Sequence, residues 1–461
     1  MTAQASSPAP AAPAARTRPS RRPLDELSLP VDEAMLDAVS SGAPAWLADD
    51  RRQAFDAWAA LPGETNFLYT PYIDLRAARL EGAIVTTTPA REAAAGALPA
   101  DADGLIEIVE GRVTTVELSE TAHQAGVGLR SLLDDVESHR DLLTEGGALP
   151  ATDKFAQLTR ALWAQGVAVD IPAGVTLSRP IVIRWAVGSS DRALLTRTLV
   201  RLGAGASASI VEELIGSDDR AGTGQAFFAG TTEATLGDGA SLQVASLQEL
   251  PAHVVEVQHR TATIGEDATL HWALAQLGGR LVRGRIDNRL VGDRSSVEQV
   301  EIVFGAADQL FDLTSYTTHV GRDTTGDLLS KAALLERART YLKGLIVIDK
   351  TAIGTDSFLG EFGMNLSKAA RSVAIPSLEI DQPDCRRAAH ASSVGPVDET
   401  QMFYLESRGI PPDEARKFIV LGFLEPVVAR VPLESARERL RELLEAKWTS
   451  GTSVSTDEAA A

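Results

Sequence analysis

The heptapeptide LGAGASA at residues 202–208 is the first of five related phrases in the middle of the chain. The others begin at Leu236 (LGDGASL), Ile264 (IGEDATL), Val291 (VGDRSSV) and Val320 (VGRDTTG), so successive starts are 34, 28, 27 and 29 residues apart. Runs rich in Val, Ile, Leu and Thr separate the phrases, and these residues favour strands. A β-rich repeat of this length is typical of a solenoid with stacked coils.

The phrases predict the corners of a parallel β-helix, in which each coil buries its apolar face against the next. Glycine is expected to supply the positive φ angle that a tight corner needs. A β-sandwich is the alternative, although a sandwich does not require so regular a corner phrase. We therefore predict a mainly β chain with a β-helix core at residues 166–392.

The composition outside the repeats predicts four further segments. Residues 1–22 are rich in Ala, Pro and Ser and contain four arginines and no acid, which is typical of a disordered tail, with a transit peptide as the alternative. Apolar spacing predicts an N-terminal helical region at 23–165, including a helix at 127–141, and a C-terminal helical domain at 393–448. The polar residues 449–461 are predicted to be a disordered tail.

The change from strands to helices falls around the only cysteine, Cys385, and His390. Asp398 and Gln401 then have the spacing of a capping box, and Gly409 suits the end of the helix that follows. A thiolate and an imidazole both bind iron, zinc or copper, and five residues across a turn would bring the two together. Two ligands do not complete a metal site, so a structural cysteine and an ordinary histidine are the alternative.

Composition excludes several classes of function. The 44 basic and 63 acidic residues give a net charge of −19, which repels nucleic-acid phosphates. No apolar run reaches the roughly 18 residues needed to span a bilayer. A single cysteine excludes an intramolecular disulfide, suits a reducing compartment, and provides too few thiolates to hold an iron–sulfur cluster. No P-loop motif is present, so we expect no ATP hydrolysis by that route.

Motifs on both sides of Cys385 resemble the SufB/SufD family of iron–sulfur cluster scaffold proteins, and are closer to its SufD branch. They are SLEI at 377–380, HASxxGxxDExxxFYLxSRGI from His390, and EAxxxIVxGF from Glu414. Upstream, His319 and Lys331 also fit the family pattern. The resemblance implies a right-handed parallel β-helix flanked by helical regions. The single cysteine favours SufD, because a SufB chain should contain several.

The resemblance also implies a function: a non-enzymatic subunit of a cytoplasmic SufBCD-type complex, which pairs with a SufB-like paralogue and docks a SufC-like ABC-type ATPase. His390 would face the SufB-like partner and contact a transient iron–sulfur cluster there, with no cofactor bound by this chain alone. Cys385 is a second candidate, although many relatives carry this cysteine two residues before the histidine, where this chain has Ala388. The residues that match the SufC-docking region are Phe403, Tyr404, Arg408, Gly409, Phe418, Ile419, Gly422 and Phe423.

A stand-alone β-solenoid, either a binding platform or a polysaccharide-active enzyme, is the alternative function. Such enzymes concentrate acidic residues on one sheet, and no periodic aspartate cluster occurs between residues 200 and 330. The sequence therefore favours the scaffold subunit.

Overall fold

The computed structural model describes residues 23, 26–63, 74–86, 95–144, 149–217 and 222–458, with side chains described to residue 450. The tail predicted at 1–22 lies outside the described residues. No helix in the described part of the chain is both long and apolar enough to cross a membrane.

Two sheets of mostly parallel strands make up most of the structure, and from β5 onward consecutive strands alternate between them. The strands are β1 (Ile84–Val85), β2 (Gly104–Val109), β3 (Arg112–Leu118), β4 (Gly128–Ser131), β5 (Gln165–Ile171), β6 (Ile181–Val187), β7 (Arg192–Leu202), β8 (Ser207–Gly216), β9 (Ala226–Leu236), β10 (Ser241–Gln248), β11 (Val254–Ile264), β12 (Thr269–Gln276), β13 (Leu281–Leu290), β14 (Ser296–Gly305), β15 (Leu310–His319), β16 (Thr325–Leu334), β17 (Arg339–Ile348), β18 (Asp356–Asn365), β19 (Arg371–Ile380) and β20 (Arg387–Gly395).

Sheet A has the order β19-β17-β15-β13-β11-β9-β7-β5-β4, with β1 beside β7, and sheet B has the order β20-β18-β16-β14-β12-β10-β8-β6-β2-β3. Each coil contributes one strand to each sheet, and the coils stack for about eight turns. Apolar side chains from both sheets meet between them in one continuous core, for example Ile210, Leu242, Leu270, Ile286 and Leu359. The predicted parallel β-solenoid is thus confirmed.

Each of the five repeated phrases forms the corner between a strand of sheet A and the next strand of sheet B. The positive φ falls two residues after the phrase glycine, so the expectation that glycine supplies it is confirmed at two corners and wrong at the other three. The positive-φ residues are Gly205, Gly239, Asp267, Arg294 and Asp323. The phrase glycine is needed instead for close stacking: a Cβ atom at Gly203 would lie 2.5 Å from the backbone nitrogen of Ala173, and one at Gly237 would lie 2.8 Å from that of Ala204. Only glycine lets successive corners approach so closely.

The N-terminal region mixes helices with strands β1–β4, in place of the helices alone that were predicted. Its helices are α1 (Glu33–Ser40), α2 (Ala45–Ala60), α3 (Glu120–Gln124), α4 (Arg140–Leu143) and α5 (Lys154–Leu162). The helix predicted at 127–141 is replaced by β4 and short turns, since β4 pairs antiparallel with β5. Val127 and Leu129 thereby enter the solenoid core. Helices α1, α2 and α5 cover the outer face of sheet A.

Three helices follow the solenoid: α6 (Glu399–Ser407), α7 (Pro412–Val428) and α8 (Glu434–Glu458). Helices α7 and α8 bury an apolar stripe against the outer face of sheet B, where Val420, Leu424 and Leu440 meet Val300 and Ile302. Helix α8 continues past the boundary expected at residue 448, as far as Glu458. Helix α6 has no buried residue, so it projects from the body of the protein.

Candidate functional site

The last coil of the solenoid is open. β19 and β20 are the terminal strands of sheets A and B, and no described strand pairs with their outer edges. Every residue of both strands is half-buried or exposed, although the preceding coil is largely buried. At the opposite end, the terminal strands β4 and β3 run antiparallel to their neighbours. The open coil therefore presents unpaired backbone N–H and C=O groups, which favour pairing with another strand.

His390 lies in β20 on the side that faces the interior of the solenoid. It is in register with Leu359 of β18, which is fully buried in the core, and alternate residues of a strand share a face. No further coil covers the imidazole, so His390 is exposed. The His390 side chain therefore lies at the end of the solenoid, beside the free edge of sheet B.

Cys385 lies in the corner before β20, where it is half-buried and packs against the end of the apolar core. The turn expected to bring Cys385 to His390 is replaced by a strand, because β20 begins at Arg387. Three strand residues span roughly 10 Å, too far for both side chains to coordinate one ion in this conformation. Among the described residues, no group of three or more His, Cys, Asp or Glu side chains is arranged to hold a metal ion.

Glu361 of β18 lies directly below the open coil and was not identified from the sequence. It is in register with Ser392 and shares the inward face with Leu359, and its side chain is almost fully buried. One carboxylate oxygen accepts the backbone N–H of Ile375 in β19 at 2.8 Å. Burial raises the pKa of Glu361 to about 8. The alternation of inward- and outward-facing residues in FLGEFG at 358–363 is the signal that would have placed a carboxyl group inside the solenoid.

A second surface is formed by α6 and the start of α7, and it exposes aromatic side chains. Phe403, Tyr404 and Phe418 are 72%, 56% and 58% exposed. The Arg408 guanidinium lies 5.1 Å from the centre of the Tyr404 ring. Exposed aromatic rings beside arginine are the residue types enriched where protein interfaces gain most of their affinity.

The remaining residues expected at this surface differ in exposure. Gly409 has a φ of +85° and ends α6, as the sequence predicted. Gly422 is exposed and Ile419 is half-buried. Phe423 is half-buried, with the Lys331 ammonium 4.7 Å from the centre of its ring, so this ring packs on sheet B of its own chain.

Residues 185–423 match a family model described as "SUF system FeS cluster assembly, SufBD core domain". The matched segment runs from β6 through the open coil into α7, and so contains both surfaces described above.

Similar proteins are found in several bacteria. The chain is 29% identical over 337 residues to the iron–sulfur cluster assembly protein SufD of Bacillus subtilis. The aligned residues cover 72% of this chain and 76% of that protein. It is 32% identical over 225 residues to a SufBD-family iron–sulfur cluster assembly protein of Mycobacterium tuberculosis, with 47% of this chain and 57% of that protein covered. A SufBD-family protein of Staphylococcus haemolyticus is 25% identical over 335 residues, with 72% and 71% covered.

Proposed function

Because this chain belongs to the SufBD family of the SUF iron–sulfur cluster assembly system, we propose that it is a SufD-like scaffold subunit without a catalytic site of its own. The iron–sulfur cluster is its cargo. We also propose a cytoplasmic location, because a chain with one free cysteine suits a reducing compartment.

The proposed partner at the open coil is a SufB-like paralogue. The free edges of β19 and β20 offer two rows of backbone groups to a second solenoid, and pairing would satisfy them. A paralogue of the same architecture would continue both sheets across the junction.

The exposed position of His390 at this junction is the observation that carries the proposal. An imidazole binds iron, but the described part of this chain assembles no complete metal site around it. A transient cluster would therefore take its other ligands, thiolates above all, from the partner chain. Cys385 remains a candidate for a separate contact with the partner.

The proposed site for a SufC-like ATPase is the surface formed by α6 and the start of α7. Phe403, Tyr404 and Phe418 supply exposed apolar area that nothing in the described structure covers. Because α7 also packs on sheet B, force applied at this surface by ATP turnover would reach the last coils.

The proposal is tested by replacing His390→Ala in the chain co-expressed with a SufB-like and a SufC-like protein. We expect the complex to assemble with unchanged stoichiometry, because His390 is exposed. We expect the yield of iron–sulfur cluster, measured by absorbance and iron content after anaerobic reconstitution, to fall at least about tenfold.

His123→Ala is the matched control, since His123 is also an exposed histidine but lies in α3, far from the open coil. Cluster yield should be unchanged in this variant. A normal yield in His390→Ala would reject the assigned site, and failure of the chain to co-purify with either partner would reject the scaffold function.

A further inference from the structure

A row of inward-facing polar residues crosses sheet B and ends at the open coil. Strand pairing aligns Glu301 of β14, Ser330 of β16, Glu361 of β18 and Ser392 of β20. Glu301 and Glu361 are both buried carboxyl groups, with 4% and 1% exposure. Burying a carboxyl group costs free energy unless hydrogen bonds offset the loss of water. Each of these two buried groups therefore needs an explanation.

The two carboxyl groups have different partners. Glu301 accepts the side-chain amide of Gln276 at 3.2 Å, in the middle of the solenoid. Glu361 instead accepts the backbone N–H of Ile375 at 2.8 Å, in the last strand of sheet A. The N–H groups of Arg371 and Asp381 bond to the carbonyl groups of Ala338 and Ile348, so the alternate N–H groups between them, that of Ile375 included, are directed toward β17 and not toward the free edge.

The opposite sheet leaves room for the Glu361 carboxyl group. A Cβ atom at Gly344 would lie 2.8 Å from the carboxyl oxygen Oε1 of Glu361, so only glycine permits this side-chain position. The carboxyl group therefore extends across the interior from sheet B toward sheet A, immediately beneath the open coil.

Glu361 is also a neighbour of His390. Since Leu359 pairs with His390 and Glu361 pairs with Ser392, the two residues lie on one face of adjacent strands, one residue pair apart. Such diagonal positions are separated by roughly 7–8 Å, which long side chains can bridge.

We propose that Glu361 is a second residue of the assembly site, and that its carboxyl group binds iron next to the imidazole of His390 in the assembled complex. This inference rests on the proposed function. A carboxylate and an imidazole form part of many iron sites, and a cation would offset the burial that favours the protonated carboxyl.

The test uses the full complex with Glu361→Gln, because glutamine keeps the size of the side chain and an oxygen that can accept the Ile375 N–H. Ferrous iron alone, added anaerobically, is the probe, and binding is measured by calorimetry before any sulfide is supplied. We expect iron binding to weaken about tenfold or more, with subunit stoichiometry unchanged. Glu361→Asp should give an intermediate loss, because it keeps the carboxylate but withdraws it by one methylene.

Glu301→Gln is the matched control, since it removes a buried carboxyl group from the same row two coils away. Iron binding in this variant should equal that of the unmodified complex. Unchanged iron binding in Glu361→Gln, together with a loss in His390→Ala, would overturn this inference and leave the proposed function standing. Unchanged binding and cluster yield in both variants would overturn both.

Discussion

His319 and His390 carry the same side chain on inward-facing positions of the solenoid, yet burial gives them different chemistry. His319 is fully enclosed, and its ring nitrogens bond to the hydroxyl groups of Thr324 at 2.8 Å and Ser357 at 3.1 Å. Burial lowers its pKa to about 4. His390 has no coil above it and is accessible to a partner. The first histidine is therefore suited to holding a corner together, and the second to binding a ligand.

The depressed pKa of His319 predicts a loss of stability in acid. The unfolded chain takes up this proton near pH 6.5, the folded chain only near pH 4, so acidification through this range favours unfolding by up to about 3 kcal/mol. In His319→Gln this contribution should disappear, and the fall in the urea midpoint between about pH 7 and pH 4.5 should be correspondingly smaller. His123→Gln should keep the pH dependence of the unmodified chain, and the same dependence in His319→Gln would contradict the assignment.

At the scale of elements, α6 differs from the other C-terminal helices in what it packs against. Helices α7 and α8 bury apolar side chains on sheet B, whereas α6 buries none. The Asp398 side chain caps α6 by accepting the backbone N–H groups of Thr400 and Gln401 at 2.7 and 3.2 Å. A helix that is held by its cap and turn but has no buried face of its own is suited to binding another protein.

Replacing Phe403→Ala or Phe418→Ala should weaken binding of the SufC-like ATPase by roughly 2 kcal/mol each, or about 30-fold in Kd, as for buried aromatic anchors of other interfaces. Thermal stability should change little, because both rings are more than half exposed. The measurement is the Kd between the purified chain and the ATPase by calorimetry. Leu133→Ala, at an exposed apolar position in the N-terminal region, is the control. If neither phenylalanine variant changes the Kd, the ATPase does not dock on this surface.

At the scale of the whole molecule, the two ends of the solenoid differ in the direction of their terminal strands. The N-terminal end finishes in the antiparallel strands β3 and β4, and helical regions cover the outer faces of both sheets. Among the described strands, only those of the last coil, β19 and β20, end their sheets with free parallel edges. An uncovered edge of this length favours association with another β-structure, so the open end is where a second solenoid would pair.

Val394→Lys should abolish pairing with the SufB-like paralogue, because a lysine on an edge strand brings an unpaired charge into the junction. Val394 is 43% exposed on β20. Val116→Lys is the matched control, since Val116 is 47% exposed on β3 at the other end of the same sheet. Sedimentation of the mixed chains is the measurement. Loss of pairing in Val116→Lys, or normal pairing in Val394→Lys, would show that the other end forms the contact.

The sequence alone determined the solenoid, because its evidence is local and repeated. Each corner phrase encodes one turn, and the turns of a stacked fold have equivalent surroundings, so five copies support one conclusion. The helix start at Asp398 and its end near Gly409 were predictable for the same reason, since caps depend on neighbouring residues.

Only the tertiary structure decided which contacts the local patterns serve. The phrase glycines turned out to permit stacking between corners 27 to 34 residues apart, and the segment around Leu129 became a strand because β5 was available to pair with it. Glu361 acquired its place beneath the open coil through Gly344 and Ile375, which lie in other strands. These outcomes depend on which strands lie side by side. Such contacts join residues that are far apart in the sequence, so local sequence patterns do not reveal them.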